Sequence, residues 1–218
     1  RKLSDDYRAR NVYEFSMIFS NFAFMGLPVT GAIFGQEGIF LASVFSVPIY
    51  VWVNSYGIML MQRDSKGWRG IRLSNLLNPA LIAIVVGFSL FVLSIELPEF
   101  IFSPLNMLGS TTTPLSMVLA GMLLVQAGWK DMFGNYKVYI VAFVRLIGFP
   151  LMVMLLAGFF VDDPLLVGVP VIITAMPVAA NVSILSEKFG GESGLSARCV
   201  CITTFLSIIT VPFISWLL

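Results

Sequence analysis

The 218-residue sequence has no histidine, only two cysteines and only 11% charged residues. Each shortage excludes something. Without histidine there is no zinc-protease motif and no His-based triad, and no inward-facing pair of aspartates stands in for them, so no catalytic set is expected. Cys199 and Cys201 lie two apart inside an expected helix. Side chains at that spacing point to different faces, so both read as small apolar residues rather than a disulfide or metal pair. A net charge of +1 points to no partner in bulk, nucleic acid included, and no cofactor motif is present.

What the chain has in excess is apolar surface. Hydrophobic residues make up 58% of it and the mean hydropathy is +0.92, against about 45–50% apolar and roughly 25% charged in a soluble domain. They come in long runs, each near the ~20 residues that cross a bilayer. Seven spans are expected: Val12–Gly35, Gly38–Met61, Leu77–Ile95, Phe100–Val125, Val138–Phe160, Leu165–Ser186 and Leu195–Leu218. Several contain Pro or Gly, which membrane helices tolerate where neighbours or water satisfy the freed backbone groups. The fold class is therefore an all-α integral membrane protein of seven helices.

Charge in the loops orients it. Arg1, Lys2, Arg8 and Arg10 precede the first span, Arg63, Lys66, Arg69 and Arg72 follow the second, Lys130 and Lys137 the fourth, and Lys188 and Arg198 the sixth. The alternate loops hold Glu37, then Glu96 and Glu99, then Asp162 and Asp163, with no Lys or Arg. Strict alternation puts the N-terminus in the cytoplasm and the C-terminus outside a cell membrane. Twelve of the thirteen basic residues are then cytoplasmic, and Arg145, inside the fifth span, is the exception.

Two segments resemble one another. Phe34-Gly35-Gln36-Glu37 recurs as Phe189-Gly190-Gly191-Glu192, 155 positions on, in loops expected on opposite sides of the membrane. Similar segments of opposite orientation suggest an inverted repeat. On that division residues 1–61 are the last two helices of one repeat, 62–76 a basic cytoplasmic connector and 77–218 a complete five-helix repeat. Matching halves would place three further spans before residue 1, making the chain about seven-tenths of a protein of roughly 300 residues.

Function in such an architecture concentrates where spans are broken near the midplane, exposing N–H dipoles and carbonyls. Three stretches qualify. Around Asn21, Gly26 and Pro28, the proline removes a donor and the glycine lets the chain bend; Asn21 either meets a ligand or caps a simple kink. Around Pro177, Asn181 and Ser183, small residues allow close backbone approach, either for a site or for helix packing. The 155 offset sets Asn181 opposite Gly26 and Ser183 opposite Pro28. In the third, Asn106–Ser116, the hydroxyls Ser110, Thr111, Thr112 and Thr113 either line a polar site or bond carbonyls of their own helix. Arg145, an intramembrane charge, is either functional or snorkels to the inner interface.

These stretches resemble the auxin efflux carrier family, whose bacterial members look like organic-acid permeases. The resemblance is carried by Ser20–Pro28 with Phe34-Gly35-Gln36-Glu37-Gly38, Leu76-Leu77-Asn78-Pro79, Leu108–Leu115 with Gly121, and Ala175–Asn181 with Glu187–Gly191. It implies ten spans in two inverted five-helix repeats, with broken fourth and ninth helices crossing at the substrate site. Here those would be Val12–Gly35 and Leu165–Ser186. It further implies an elevator-like motion of a transport domain against a scaffold. One departure is that position 183 is Ser while the proline lies at 177.

The sequence thus reads as a secondary transporter of a small organic anion such as a carboxylate, embedded in the lipid bilayer. The candidate substrate residues are Asn21, Gly26, Pro28, Thr112, Thr113, Pro177, Asn181, Ser183 and Arg145, with no metal site. The coupling ion is open between a proton and sodium, and a homodimer is admitted because elevator carriers often pair through their scaffolds. A non-transporting scaffold or sensor on the same fold is the alternative. The charge pattern predicts that in intact cells an impermeant thiol reagent labels Ser94→Cys, and reaches Ser65→Cys only after permeabilisation; labelling of Ser65→Cys in sealed cells would reverse the topology.

Overall fold

A computed structural model describes residues 4–63, 79–126 and 135–218. The connector 62–76 from residue 64 onward, Leu76-Leu77-Asn78 and Lys130 lie outside these residues. Ten α-helices follow in order: α1 Tyr7–Ile18, α2 Leu27–Trp52, α3 Ile58–Gln62, α4 Pro79–Val92, α5 Glu99–Gln126, α6 Tyr136–Phe143, α7 Phe149–Gly158, α8 Pro164–Ala175, α9 Asn181–Phe189 and α10 Ser193–Leu217. Among the described residues three π-helical turns, Phe22–Gly26, Val53–Gly57 and Val144–Gly148, join α1 to α2, α2 to α3 and α6 to α7. Each ends in glycine. Among the described residues the only β pairing is one isolated antiparallel bridge, Ser20 with Val178.

Each expected span falls largely on helical backbone. Length and hydropathy alone mark three segments as able to cross a membrane: Phe22–Gln62, Tyr136–Gly158 and Ser193–Leu217. Ile82–Val92 and Pro164–Ala175 are shorter apolar helices. The long first segment is not straight. Gly35 lies inside α2 with φ 66° and ψ −154°, a conformation that side-chain-bearing residues avoid, so the helix kinks there. Gly190, which closes α9, is also left-handed at φ 70°. The two recurring Phe-Gly pairs therefore both place their glycine at the end of a helical stretch.

Polarity is distributed inside out. Asn11, Ser16, Ser20, Asn21, Thr30, Ser46, Arg145, Ser183, Ser186, Ser196, Thr203 and Ser207 are buried, while Phe88, Phe91, Phe100, Met107, Leu108 and Leu115 are exposed. A water-soluble protein could not sustain that pattern, whereas a bilayer rewards it, because hydrocarbon solvates the apolar rim and interior partners satisfy the polar groups. Most buried hydroxyls bond carbonyls of their own helix one turn back, such as Thr30 to Gly26 at 2.7 Å and Ser46 to Ala42 at 2.6 Å.

The main core gathers α1, α3, α6, α8, α9 and α10 around Phe15, Phe19, Leu60, Val138, Val169 and Ile173. α4 packs on α2 and α5 on α10, with broad apolar faces turned outward. Near the cytoplasmic ends expected from charge, Arg63 ties α3 to α1. It donates to Asn11 Oδ1 at 3.0 and 2.7 Å and to Glu14 Oε2 at 2.8 Å, and its carbonyl accepts from Asn11 Nδ2 at 2.6 Å.

The π-turn at Val53–Gly57 brings Gly57 against two buried rings. A Cβ there would lie 2.9 Å from Phe15 Cε2 and 3.2 Å from Phe19 Cε2, whereas one at Gly87 would meet nothing within 4 Å. Overpacking of a filled core costs roughly 1–3 kcal/mol. Gly57→Leu is therefore expected to lower thermal stability by about that amount, and Gly87→Leu to leave it nearly unchanged. Equal melting of the two variants in detergent would contradict this packing.

Candidate functional site

The two helices expected to be broken are broken, and their breaks meet. α1 ends at Ile18; Phe19 turns extended (φ −104°, ψ 121°) and helix resumes in the π-turn at Phe22. α8 ends at Ala175, Met176 turns extended (φ −65°, ψ 149°), and helix resumes at Asn181. Between them the backbones pair antiparallel: Asn21 N donates to the Pro177 carbonyl at 2.7 Å and Ala179 N to the Phe19 carbonyl at 3.2 Å.

Further groups at the breaks find partners on neighbouring helices. Val178 N donates to Thr203 Oγ1 on α10 at 3.1 Å, and that hydroxyl donates to the Cys199 carbonyl at 2.7 Å. Ser20 Oγ donates to the Ile173 carbonyl near the end of α8 at 3.0 Å. The end of α1 is served differently. Arg145 Nη1 donates to the carbonyls of Met17 and Ile18, both at 3.2 Å. Partners of this kind matter in a low-dielectric interior, since an orphaned buried amide costs about 1–3 kcal/mol.

Beside the pairing is a cavity of about 30 Å³ lined by Ser20, Asn21, Phe22, Ala23, Phe24, Tyr50, Val53, Ala179, Ala180 and Asn181. It holds one or two water-sized groups. The first residues of both resumed helices face it, and the first N–H groups of a helix have no acceptor within that helix, although at α9 the amides of Val182 and Ser183 already donate to the Ala179 and Ala180 carbonyls. Two positive dipole ends thus converge on one small space. Asn21 is 7% exposed and makes no side-chain cap. Neither its amide nor that of Asn181 hydrogen-bonds to a described residue, so both remain available to a ligand.

The structure brings together Asn21, Gly26, Pro177 and Asn181 from the sequence candidates. Gly26 closes the π-turn, with Met176 Cγ 3.5 Å from where its Cβ would be. Pro28 stands apart: it is exposed in the first turn of α2, where a missing N–H costs nothing. The first break therefore falls at Phe19–Asn21, a turn or more before the proline. Ser183 lies inside α9 and accepts from Ser196 Oγ at 3.2 Å, turned toward α10. Ser110 and Thr111 are exposed and bond their own helix, at Met107 and Leu108; the side chains of Thr112 and Thr113 lie outside the described residues. Arg145 is 3% exposed and does not snorkel.

Three further residues belong here, of which the sequence reading passed over Tyr50 and Thr203. Ser20 and Thr203 hold the breaks, and Tyr50 lines the cavity with its ring edge-on to Phe22 at 4.7 Å. Ser20 opens a stretch the reading did single out.

The sequence pattern of the family described as "Membrane transport protein" matches residues 68–215. The chain belongs to that family. It is the one toward which the auxin efflux carrier resemblance pointed. An uncharacterized transporter of Methanocaldococcus jannaschii is 27% identical over 205 residues, which cover 92% of this chain and 66% of that protein. A second uncharacterized transporter, of Methanothermobacter thermautotrophicus, is 27% identical over 194 residues, covering 88% of this chain and 63% of that protein. The chain thus spans just under two thirds of the length of these relatives of the membrane transport protein family.

Thr203→Val keeps the shape but strands the buried Val178 N–H. It is expected to cost about 1–3 kcal/mol. Thr210→Val, which removes a buried hydroxyl that has no partner, is expected to be neutral or stabilising. Comparative melting of the two variants checks the assignment, and a neutral Thr203→Val would break it.

Proposed function

We infer that this chain is the greater part of a secondary active transporter that moves a small organic anion, such as a carboxylate, by elevator-like alternating access. The observation that carries the reading is the pairing of the two breaks around a cavity edged by two helix starts and two unengaged asparagine amides. Helix starts attract anions through their free N–H groups and dipoles. The amides can donate to a carboxylate without adding a second buried charge. The cavity admits only a carboxylate-sized head in this closed arrangement, so the body of the substrate would lie outside it.

The finer architecture belongs to the same proposal. Residues 1–61 form the end of one inverted repeat and 77–218 the second, joined by the basic connector 62–76, in a seven-span arrangement with a cytoplasmic N-terminus. Supporting it are the near two-fold exchange of the bonds Asn21–Pro177 and Ala179–Phe19 and the left-handed glycines at matching places. The stretch from the bridge to that glycine is three residues longer in the first copy, Ser20 to Gly35, than in the second, Val178 to Gly190. The first copy is also the one that contains a π-turn. An insertion absorbed that way leaves the sequence offset of the outer motifs different from that of the crossing.

Removing one neutral donor to a charged ligand costs on the order of 1.5–3 kcal/mol, or roughly ten- to a hundred-fold in affinity. In the full-length protein Asn21→Ala and Asn181→Ala should each raise the dissociation constant for its carboxylate by about that factor, at normal expression. Uptake and binding of labelled dicarboxylates and aromatic acids in proteoliposomes measure it. Wild-type behaviour of both variants would remove the crossing as the anion site.

A further inference from the structure

Among the described residues, Arg145 is the one charged side chain in the buried core. Its guanidinium reaches the Met17 and Ile18 carbonyls, at the last two positions of α1. Those carbonyls need an outside donor for a specific reason. The amide that would have continued the helix onto Met17 is that of Asn21, and it donates across the break to Pro177 instead. The crossing therefore creates a carbonyl-rich, negatively polarised helix end inside the core.

Among the described residues no carboxylate pairs with Arg145. The ion pairs among the described residues are Arg10 with Glu14 and Arg63 with Glu14. The other face of the guanidinium lies 5.8 Å from the Phe149 ring, and its Nε is buried without a partner. The opposing helix end, at α8, is served by the neutral hydroxyl of Ser20. Only one of the two carbonyl ends at the crossing thus receives a positive charge, and it comes from the protein itself.

In carriers with broken helices, unwound carbonyls and half-helix C-terminal ends coordinate the coupling cation. We propose that Arg145 is a tethered cation occupying that position at the end of α1, so that this end binds no sodium ion. The proposal rests on reading the crossing as the transport site, and it narrows the coupling ion that the sequence leaves open. Arg145 is a positioning residue here: it holds the end of α1 in the geometry that presents Asn21 to the cavity. A fixed charge at this end also offsets the charge of an anion bound beside the crossing, which a neutral cap such as Ser20 does not.

The test is run without substrate, in the full-length protein in lipid nanodiscs, by comparing thermal melting in sodium chloride and in choline chloride of equal strength. Wild type should melt alike in both. Arg145→Ala should melt several degrees lower in choline and recover much of the loss with sodium or with millimolar methylguanidinium, while Arg145→Lys should stay near wild type and indifferent to sodium. A sodium-dependent rise in wild type overturns the proposal whatever the variants do. So does an Arg145→Ala protein that neither cation rescues. If Arg145→Ala cannot be recovered, a sodium-dependent melt in Arg145→Lys overturns it and a sodium-indifferent one upholds it. Failure of the anion reading would appear separately, as unaltered carboxylate binding by Asn21→Ala and Asn181→Ala with these sodium responses unchanged.

Discussion

Hydrocarbon offers no hydrogen bonds, so a helix interrupted inside a membrane must find a partner for every amide and carbonyl it releases. That constraint organises the molecule. Two interrupted helices solve it jointly, each break supplying an amide to a carbonyl of the other. The groups left over recruit the rest of the fold: α10 contributes Thr203, and the π-turn between α6 and α7 contributes Arg145. The helices around the crossing are therefore placed by backbone accounting as much as by apolar packing.

The same constraint explains the economy of charge. The buried interior relies on serine, threonine and asparagine, which can be satisfied by one or two local bonds, and admits one cation at the point where a helix dipole favours it. The Arg63 cluster is different in kind. It lies toward the basic connector, where water can share the cost of Glu14, and it fastens the start of α1 to the end of α3. The paired broken helices are thus anchored by hydrogen bonds at the crossing and by an ion pair near one rim.

Much of this was legible in the residues because it depends on local periodicity and backbone chemistry. Apolar run length marked out helical segments, and Pro177 with its small neighbours marked the stretch within which the second helix breaks, without fixing the residue at which it unwinds. The first break was misplaced, toward Pro28, because a proline in the first turn of a helix costs nothing and so marks a beginning as readily as a rupture. What opens the chain at Phe19–Asn21 is its pairing with residues 177–179, which lie more than 150 positions away in the sequence. The role of Arg145 was hidden for the same reason. As an intramembrane charge the residue read either as functional or as snorkelling to the inner interface, and nothing along its own helix shows that its acceptors lie on α1. Tyr50 was invisible to pattern altogether, since only the tertiary fold turns it toward the cavity.

The pairing at the crossing also decides how the broken helices are held. Separating the two breaks would strand at least four buried backbone groups together with the hydroxyls that brace them, so the crossing fastens the two broken helices to each other at their centres. Their far ends are held differently. There the chain passes through Gly35 and Gly190, both left-handed and both with no atom within 4 Å of where a side chain would begin. Each crossed segment thus ends on a glycine that no neighbouring side chain packs against, while its centre is held by paired backbone.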